Sequence, residues 1–236
     1  MYPEVLPIIR DAIHLRYKLL PYLYQLSYES HILGNPLIRP LFYEFQNDTK
    51  TFGLCFDFML GPSLLVSSIT EPNTYEKSVY LPGINEYWYD FWSHELFHGG
   101  QSISVQVPLS QHGAVFVRHG SIITMGKSMK YVGCEPDDLR ILAIFPAICQ
   151  ESESVTTTTR LYEDDGLSNN GKKYILEITM NATADLIKLK LECFDNSFKP
   201  EFDKFLVRLP PAEKRRVECS SHIMVEVIEG YNISLT

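Results

Sequence analysis

Apolar residues recur at steps of three and four positions near the start of the chain, namely Ile9, Ile13, Tyr17, Leu20, Tyr24 and Tyr28. This spacing places them on one face of an α-helix. Pro21 interrupts the pattern, and we expect either a kink or a short helix followed by a longer one, because proline lacks the backbone donor that a helix needs. Gly34 fits the left-handed position that ends a helix, and Pro36 prevents its continuation.

A short apolar run follows the helix at residues 37–43. Its near-continuous apolarity predicts a strand that is buried on both faces, as in a parallel sheet or the inner wall of an α/β barrel. A helix followed closely by such a strand is half of a βαβ unit. The start of the chain therefore predicts an incomplete α/β edge.

From about residue 60 onwards the pattern changes to short strands separated by glycine and proline. The first set of predicted strands covers residues 63–69, 78–81, 87–91, 102–107, 114–118 and 121–124. A polar, turn-rich break follows at residues 131–138, and we place a domain boundary there. The second set covers residues 139–145, 155–162, 173–181, 186–192, 204–209 and 222–228. Many short strands at this spacing are typical of antiparallel sandwiches.

One of these strands shows clean alternation and predicts which of its faces is wet. In the segment TADLIKLKLEC, the residues Ile187, Leu189 and Leu191 alternate with Lys188 and Lys190. Successive side chains of a strand point to opposite faces, so the lysine face is expected to contact water.

Composition restricts the classes of partner. The 236 residues are 45% hydrophobic and 21% charged, which is normal for a folded globular protein. A net charge of −8 argues against nucleic acid as a partner, because no basic surface would neutralise its phosphates. No apolar stretch approaches the ~20 residues that span a bilayer, so we expect no membrane partner. Five scattered cysteines without a CxxC pair predict neither a zinc site nor a disulfide framework, and we expect no cofactor or metal.

Three adjacent carboxylates stand in the segment RLYEDDGLSNNGKKY, at Glu163, Asp164 and Asp165. They could hold a hard cation or act as an acid/base pair. Consecutive residues of an extended chain point to opposite faces, however, and Asp-Asp-Gly is a strong turn signal in which Gly166 supplies a positive φ. We favour a structural turn over a metal or catalytic role.

The segment EYWYDFW, residues 86–92, is dense in aromatic residues that could stack on sugar rings. Alternation places Tyr87, Tyr89 and Phe91 on one face and Trp88, Asp90 and Trp92 on the other. One face is expected in the core, and the other could be a binding platform or an interface. Trp88 and Trp92 are thus candidate sugar-stacking residues, with core packing as the alternative that such density favours.

Six strings, in this order and at this spacing, resemble the C-terminal part of glycoside hydrolase family 31, the α-glucosidase and α-xylosidase family. They are HLRYKLLPYLYQLSYESHILGNPLIRPLFYEF, DFMLGPSLLVSSI, VYLPG followed by EYWYDFW, GGQSISVQVPL, AVFVRHGSII and LYEDDG. The resemblance covers roughly residues 10–215. The chain departs from it at Ser67, Ser68, Ala114 and Thr124, where the family usually has other residues.

The resemblance implies a catalytic (β/α)₈ barrel followed by a proximal and a distal β-sandwich. The predicted fold is therefore mainly β, with two consecutive antiparallel β-sandwich domains preceded by the last helix–strand piece of an incomplete barrel. The implied domains are residues 1–58 for the barrel piece, 59–132 for the proximal sandwich and 133–236 for the distal one.

The resemblance also implies a retaining mechanism that needs two carboxyl groups about 5–5.5 Å apart across the scissile bond. The family motifs that carry the two aspartates, of the W-x-D-M-N-E and G-D-N types, are absent from this sequence, so we assign no catalytic residue here. Arg39, near the end of the predicted barrel strand, is a candidate substrate-binding residue because barrel sites lie at the carboxyl ends of strands. A structural salt bridge is its alternative role.

These implications predict a C-terminal fragment of a retaining α-glycosidase that is inactive alone. Its implied partners are the catalytic barrel and, through the parent enzyme, an α-linked oligosaccharide or glucoside. Two alternatives stay open from the sequence. The chain could be a non-catalytic carbohydrate-binding module, or a β-sandwich module that docks onto a separately encoded barrel.

Overall fold

The computed structural model describes residues 5–109, 113–168, 171–220, 225–227 and 233–235. The described α-helices are α1 Leu6–Lys18, α2 Leu20–Leu33 and α3 Leu41–Glu44, and a 3₁₀ helix covers Thr49–Gly53. The described strands up to residue 125 are β1 Ile38–Pro40, β2 Asp57–Leu60, β3 Leu64–Ser67, β4 Glu76–Leu81, β5 Tyr87–Asp90, β6 Leu96–His98, β7 Gln101–Gln106, β8 Ala114–Arg118 and β9 Ser121–Met125. Those after it are β10 Leu139–Phe145, β11 Val155–Glu163, β12 Tyr174–Ala182, β13 Leu186–Asn196, β14 Lys204–Arg208, β15 Arg216–Ser220, β16 Val225–Val227 and β17 Ile233–Leu235. The chain is therefore mainly β, as the sequence predicted.

Contacts between residues divide the chain into two compact units. Unit 1 contains residues 1–12 and 36–119, and unit 2 contains residues 13–35 and 120–236. The division of the chain into domains at residues 58 and 132 stays a prediction.

Unit 1 is built from two antiparallel sheets. One has the strand order β1-β2-β3-β8-β5-β6, and the other pairs β4 with β7. Met59, Leu65 and Phe116 of the first sheet and Val79 and Leu81 of the second belong to one buried cluster. A single apolar core therefore joins the two sheets of this unit.

Unit 2 also contains two sheets, with the orders β16-β14-β10-β9 and β11-β12-β13-β15-β17. Both include parallel pairs, such as β10 with β14 and β13 with β15, so the expectation of purely antiparallel sheets is wrong for this unit. The alternation predicted for β13 is confirmed, because Ile187, Leu189 and Leu191 are buried while the intervening lysines are exposed. The buried side chains of β13 pack with those of β10 and β14 in the core of the unit.

The predicted interruption of the first helix is confirmed, and unit 2 supplies its physical reason. Helix α1 ends at Lys18, whose carbonyl accepts a hydrogen bond from the backbone N–H of Gly126 at 2.8 Å. Pro21 lies in the first turn of α2, where a missing backbone donor is tolerated. A Cβ on Gly126 would lie 3.3 Å from the Pro21 ring, so the close approach favours glycine. Gly34 ends α2 at φ 75°, as predicted.

The predicted strand at residues 37–43 is wrong in length and in pairing. Strand β1 has three residues, pairs antiparallel with β2, and leaves Ile38 62% exposed. Pro40 lacks a backbone N–H to donate to a strand partner, and it is the last residue of β1, because helix α3 begins at Leu41. The run is therefore apolar without being buried on both faces.

Candidate functional site

Trp88 lies in the core of unit 1. It is 0% exposed, and its indole Nε1–H donates to the carbonyl of Pro82 at 2.9 Å. The ring of Phe45 packs against it, with the centroids 5.9 Å apart. The two residues that follow Trp88 on β5, Tyr89 and Asp90, are buried as well. The proposal of Trp88 as a sugar-stacking surface is corrected by this burial, since its indole meets protein on both faces.

Trp92 occupies a different environment, at the hairpin that follows β5. Its side chain is half-buried, its indole Nε1–H donates to Gly113 O at 3.2 Å, and it packs edge-on against Phe91. The carboxylate of Asp90 holds the hairpin by accepting from the backbone N–H groups of Trp92 and Ser93 at 2.8 and 2.7 Å. The ring of Trp92 is thus fixed in orientation while part of it stays accessible.

A cavity of about 380 Å³ adjoins this hairpin in unit 1. Gly113, which accepts the Trp92 hydrogen bond, lies in its wall. Most of the lining is apolar, and its polar groups include Ser67, Ser68 and Tyr75. Behind the wall, the buried Asp57 accepts the Ser67 hydroxyl at 2.6 Å and lies 3.5 Å from the ammonium of Lys77.

Arg39 is buried on strand β1. Its Nε donates to Pro36 O at 2.8 Å, and its Nη1 donates to Glu44 Oε1 at 2.6 Å. Its guanidinium also lies over the ring of Tyr43, 5.5 Å from the centroid. These contacts agree with the structural salt bridge that was the alternative role, and substrate binding by Arg39 stays a prediction. The three candidates have different partners: Arg39 contacts Pro36 and Glu44, Trp88 donates to Pro82, and Trp92 donates to Gly113.

Sequence reasoning missed the ion cluster centred on Glu86. Arg118 donates to both carboxylate oxygens of Glu86, from Nε at 2.8 Å and from Nη2, and His119 Nε2 lies 3.1 Å from Oε2. Burial alone would raise the pKa of Glu86, but the hydrogen bonds from Arg118 and His119 outweigh it and lower the pKa to about 2. The signal in the sequence was the FVRHG string, which carries both cationic partners.

In unit 2 the three adjacent carboxylates point to three different partners. Asp165 accepts from the backbone N–H groups of Leu167 and Ser168 at 3.0 and 2.8 Å and so closes its own turn. Gly166 has a φ of 64°, as the turn signal predicted. The preference for a structural turn over a cation site or an acid/base pair therefore agrees with the geometry of this turn.

Glu163 is turned towards the buried guanidinium of Arg140. Arg140 Nε and Nη2 both lie 2.8 Å from Glu163 Oε1, and Nη1 lies 2.6 Å from Asp137 Oδ1. The guanidinium also sits over the ring of Phe202, 4.5 Å from its centroid. Burial raises the pKa of Glu163 despite the opposing charge of Arg140.

Asp164 points towards helix α2. One carboxylate oxygen accepts from the hydroxyl of Tyr24, and the other accepts from the hydroxyl of Tyr162 at 2.6 Å. Burial would raise the pKa of Asp164, but these two hydrogen bonds and the backbone N–H of Gly166 lower it. Over the described ranges, no three or more His, Cys, Asp or Glu side chains are grouped to hold a metal ion. No helix in the described part of the chain is long and apolar enough to cross a membrane.

Comparison with known proteins gives the class of the chain. Residues 34–123 match the family model described as the glycosyl hydrolase family 31 C-terminal domain. An alpha-xylosidase of Saccharolobus solfataricus is 37% identical over 180 residues, covering 75% of this chain and 23% of that protein. Neutral alpha-glucosidase C of Homo sapiens is 40% identical over 165 residues, covering 68% of this chain and 17% of that protein.

Solved structures agree with the sequence matches. The GH31 dextranase of Flavobacterium johnsoniae complexed with glucose matches with a TM-score of 0.81 at 33% identity, covering 88% of this chain and 26% of that chain. This chain therefore spans about a quarter or less of the length of these relatives. Its class is the β-rich C-terminal part of a glycoside hydrolase. The family is glycoside hydrolase family 31, to the C-terminal part of which this chain belongs.

The family match also bears on strand β1. The match begins at residue 34, so β1 lies within the C-terminal domain model, in the same sheet as β2 and β3. Helices α1 and α2 precede the matched residues.

Proposed function

We propose that this chain is the non-catalytic C-terminal part of a retaining α-glycosidase, and that it supports the catalytic barrel of the complete enzyme. The observation that carries the proposal is the coverage of the relatives. The chain matches an alpha-xylosidase over 75% of its own length but over 23% of that protein. In this proposal the two catalytic carboxylates lie in the remaining part of the enzyme, and the chain alone does not hydrolyse glycosides.

The surface of helix α1 supports a docking role. None of the described residues of α1 is buried, although three of them are large and apolar. Leu6, Ile9 and Ile13 are 41%, 50% and 47% exposed. An apolar stripe at helical spacing stabilises a protein only when it is covered. We propose that the barrel covers this stripe, and that α1 and α2 are the last helical segment of that barrel.

The same proposal describes the two units as the proximal and distal β-sandwiches of the enzyme, joined to the barrel through this segment. Its substrate would be an α-linked oligosaccharide or glucoside, bound mainly by the barrel. The pair formed by the buried Arg39 and the half-buried Glu44 would then shape the region near the barrel without contacting the reacting atoms.

Hydrolysis assays test the inactivity of the chain alone. The purified chain is incubated with 4-nitrophenyl α-D-glucopyranoside and with the corresponding xyloside, and no release of 4-nitrophenol above buffer is expected. Turnover that is abolished by Glu86→Gln or Asp57→Asn would overturn the proposal, because it would place catalysis in this chain.

A chimera tests the supporting role. This chain replaces the matching segment of the Saccharolobus solfataricus alpha-xylosidase, and the truncated relative without any replacement is the control. Xyloside hydrolysis by the chimera but not by the truncated control is expected. A folded chimera that is no more active than the truncated control would count against the supporting role.

Carbohydrate binding is a second candidate function, and the fixed, partly accessible ring of Trp92 favours it. A flat ring held in one orientation can stack on a sugar with little loss of side-chain entropy. Calorimetric titration with maltoheptaose is expected to show binding that Trp92→Ala abolishes. Binding that persists unchanged in Trp92→Ala would remove the basis for this function.

A further inference from the structure

Helix α2 is held against strand β11 of unit 2 by residues of one helix face. Tyr24 and Tyr28 lie one turn apart on this face, and Gln25 lies beside them. The hydroxyl of Tyr24 donates to Asp164 Oδ1, while the hydroxyl of Tyr162 donates to Asp164 Oδ2 at 2.6 Å. One carboxylate therefore joins a helix residue and a strand residue that are far apart in the sequence.

Two further contacts extend this junction along β11. The rings of Tyr28 and Tyr162 stack with their centroids 3.9 Å apart and their planes 10° from parallel. Gln25 Nε2 donates to Thr159 Oγ1 at 3.0 Å. These contacts of α2 fall on Thr159, Tyr162 and Asp164, which lie along one strand and the turn that follows it. Gln25 of the same helix also accepts from Thr124 Oγ1 of β9 at 3.5 Å.

The neighbouring carboxylate provides an internal contrast. Asp165 bonds within its own turn, to the backbone N–H groups of Leu167 and Ser168 and to the Ser168 hydroxyl. Among the described residues, its hydrogen-bond partners are Leu167 and Ser168 of its own turn. Asp164 also accepts from the backbone N–H of Gly166 within the turn, at 2.8 Å. The two adjacent aspartates therefore differ in that Asp164 additionally reaches the helix.

We propose that Asp164 is a clasp that fixes helix α2 on strand β11, with the two tyrosine hydroxyls as its donors. The clasp is a property of this chain. Only its consequence, the positioning of the helical segment that adjoins the barrel, rests on the proposed function. This assigns a long-range positioning role to one aspartate of the LYEDDG segment, beyond the closing of a turn.

The charges around the clasp give it a defined pH dependence. The titratable groups that interact with Asp164 are Tyr24 from α2 and Tyr162, Glu163 and Asp165 from β11 and its turn, and Tyr28 of α2 stacks on the ring of Tyr162. The tyrosine hydroxyls must stay protonated and Asp164 must stay ionised. The pKa of Asp164 in the folded chain is lowered, so the clasp is complete above the ordinary aspartate range and is lost as the pH falls through that lowered value.

Amide hydrogen exchange of the full chain tests the proposal with two matched variants. Asp164→Asn and Asp165→Asn make the same change of charge and shape at adjacent positions. The NH₂ group of an asparagine at 164 cannot accept a hydrogen bond, so one of the two tyrosine hydroxyls loses its acceptor. Exchange of the α2 amides is therefore expected to accelerate about tenfold. In Asp165→Asn the α2 amides are expected to stay within about twofold of the wild type, whereas Leu167 and Ser168 exchange faster.

Strands β12 and β13 serve as the internal reference for folding in each variant. Equal acceleration of α2 in both aspartate variants, or none in Asp164→Asn, would overturn the clasp. If Asp164→Asn fails to fold, Tyr24→Phe removes one donor hydroxyl and keeps the ring, and the same acceleration confined to α2 is expected.

A pH series supplies a readout that general destabilisation would not reproduce. In wild type, protection of α2 relative to β12 is expected to fall as the pH drops below 4, and in Asp164→Asn this step is absent. A step of the same size in both proteins would overturn the role of Asp164. These measurements need no glycosidase activity, so their failure is distinct from a failure of the proposed function.

Discussion

The aromatic segment of unit 1, residues 86–92, and the acidic segment of unit 2, residues 160–168, use their polar groups over different distances along the chain. Trp88 donates to Pro82, six residues away, and Asp90 holds the hairpin that begins beside it. Asp164 instead accepts from Tyr24, 140 residues earlier. The first segment therefore organises its own hairpin and core, whereas the second joins parts of the chain that the sequence separates.

Two segments that both contained candidate site residues in the sequence therefore have different structural roles. The aromatic rings stabilise unit 1 mainly by removing apolar surface from water. The carboxylates of the acidic segment stabilise unit 2 by satisfying buried or half-buried donors, which gives less free energy per group but more directional specificity. Substitutions in the two segments should therefore differ in size and in pH dependence.

The largest effect is expected from Trp88→Ala. The change removes a fully buried indole and leaves the Pro82 carbonyl without its side-chain donor, so unfolding of unit 1 should become easier by about 3–5 kcal/mol. Urea denaturation followed by circular dichroism measures the change, and hydrogen exchange assigns it to unit 1. A loss below about 1 kcal/mol would contradict the core role of this ring.

The next largest effect is expected from Arg140→Met, which tests the acidic segment. Removing the guanidinium leaves Glu163 buried without its cation, and we expect a loss of about 3 kcal/mol, at the low end for buried pairs. We choose the low end because Asp137, the second carboxylate partner of Arg140, has a side chain that is 36% exposed and can be solvated by water when the guanidinium is removed. Because burial already raises the pKa of Glu163, the loss should shrink as the pH is lowered and Glu163 becomes protonated. A loss that stays constant from pH 7 to pH 4 would be inconsistent with this account.

A smaller effect, which also shrinks as the pH falls but over a lower pH range, is expected from Glu86→Gln. The folded pKa of Glu86 is lowered from 4.5 to about 2, so the stability that its ion pairs contribute is present above pH 4.5 and is lost as the pH falls towards 2. Between these limits wild type should lose about 1–3 kcal/mol more than Glu86→Gln, with the upper value reduced by solvent screening at the Arg118 side chain. Parallel stability curves for the two proteins over this range would contradict the assignment.

The smallest effect is expected from Trp92→Ala. Its ring is half-buried and keeps one hydrogen bond to Gly113, so the loss of stability should be about 1–2 kcal/mol, well below that of Trp88→Ala. Thermal unfolding of the two variants side by side measures the difference. Equal losses of stability would contradict the difference in burial between the two tryptophans.

Much of the local structure followed from the sequence for clear physical reasons. Gly34 and Gly166 adopt the positive φ values that their turn contexts predicted. The lysine face of β13 is exposed because alternation fixes the two faces of a strand. The order of the matched strings predicted the family before any fold was known, because it combines many moderately specific segments.

The errors arose where tertiary pairing overrides a local pattern. The apolar run at residues 37–43 was expected to form a buried strand, but Pro40 ends β1, and Ile38, Phe42 and Tyr43 remain exposed. Alternation also assigned one face of β5 to a possible binding platform. It could not show that a second sheet and the ring of Phe45 would cover Trp88.

The mainly β character, the helix end at Gly34, the exposed face of β13 and the likeness to family 31 could all be predicted from the sequence. These features depend on neighbouring residues or on ordered motifs. Only the tertiary structure decided that Trp88 is buried, that Glu86 pairs with Arg118, and that Asp164 reaches Tyr24. These contacts join residues that are distant along the chain, and short-range periodicity carries no information about which distant groups will meet.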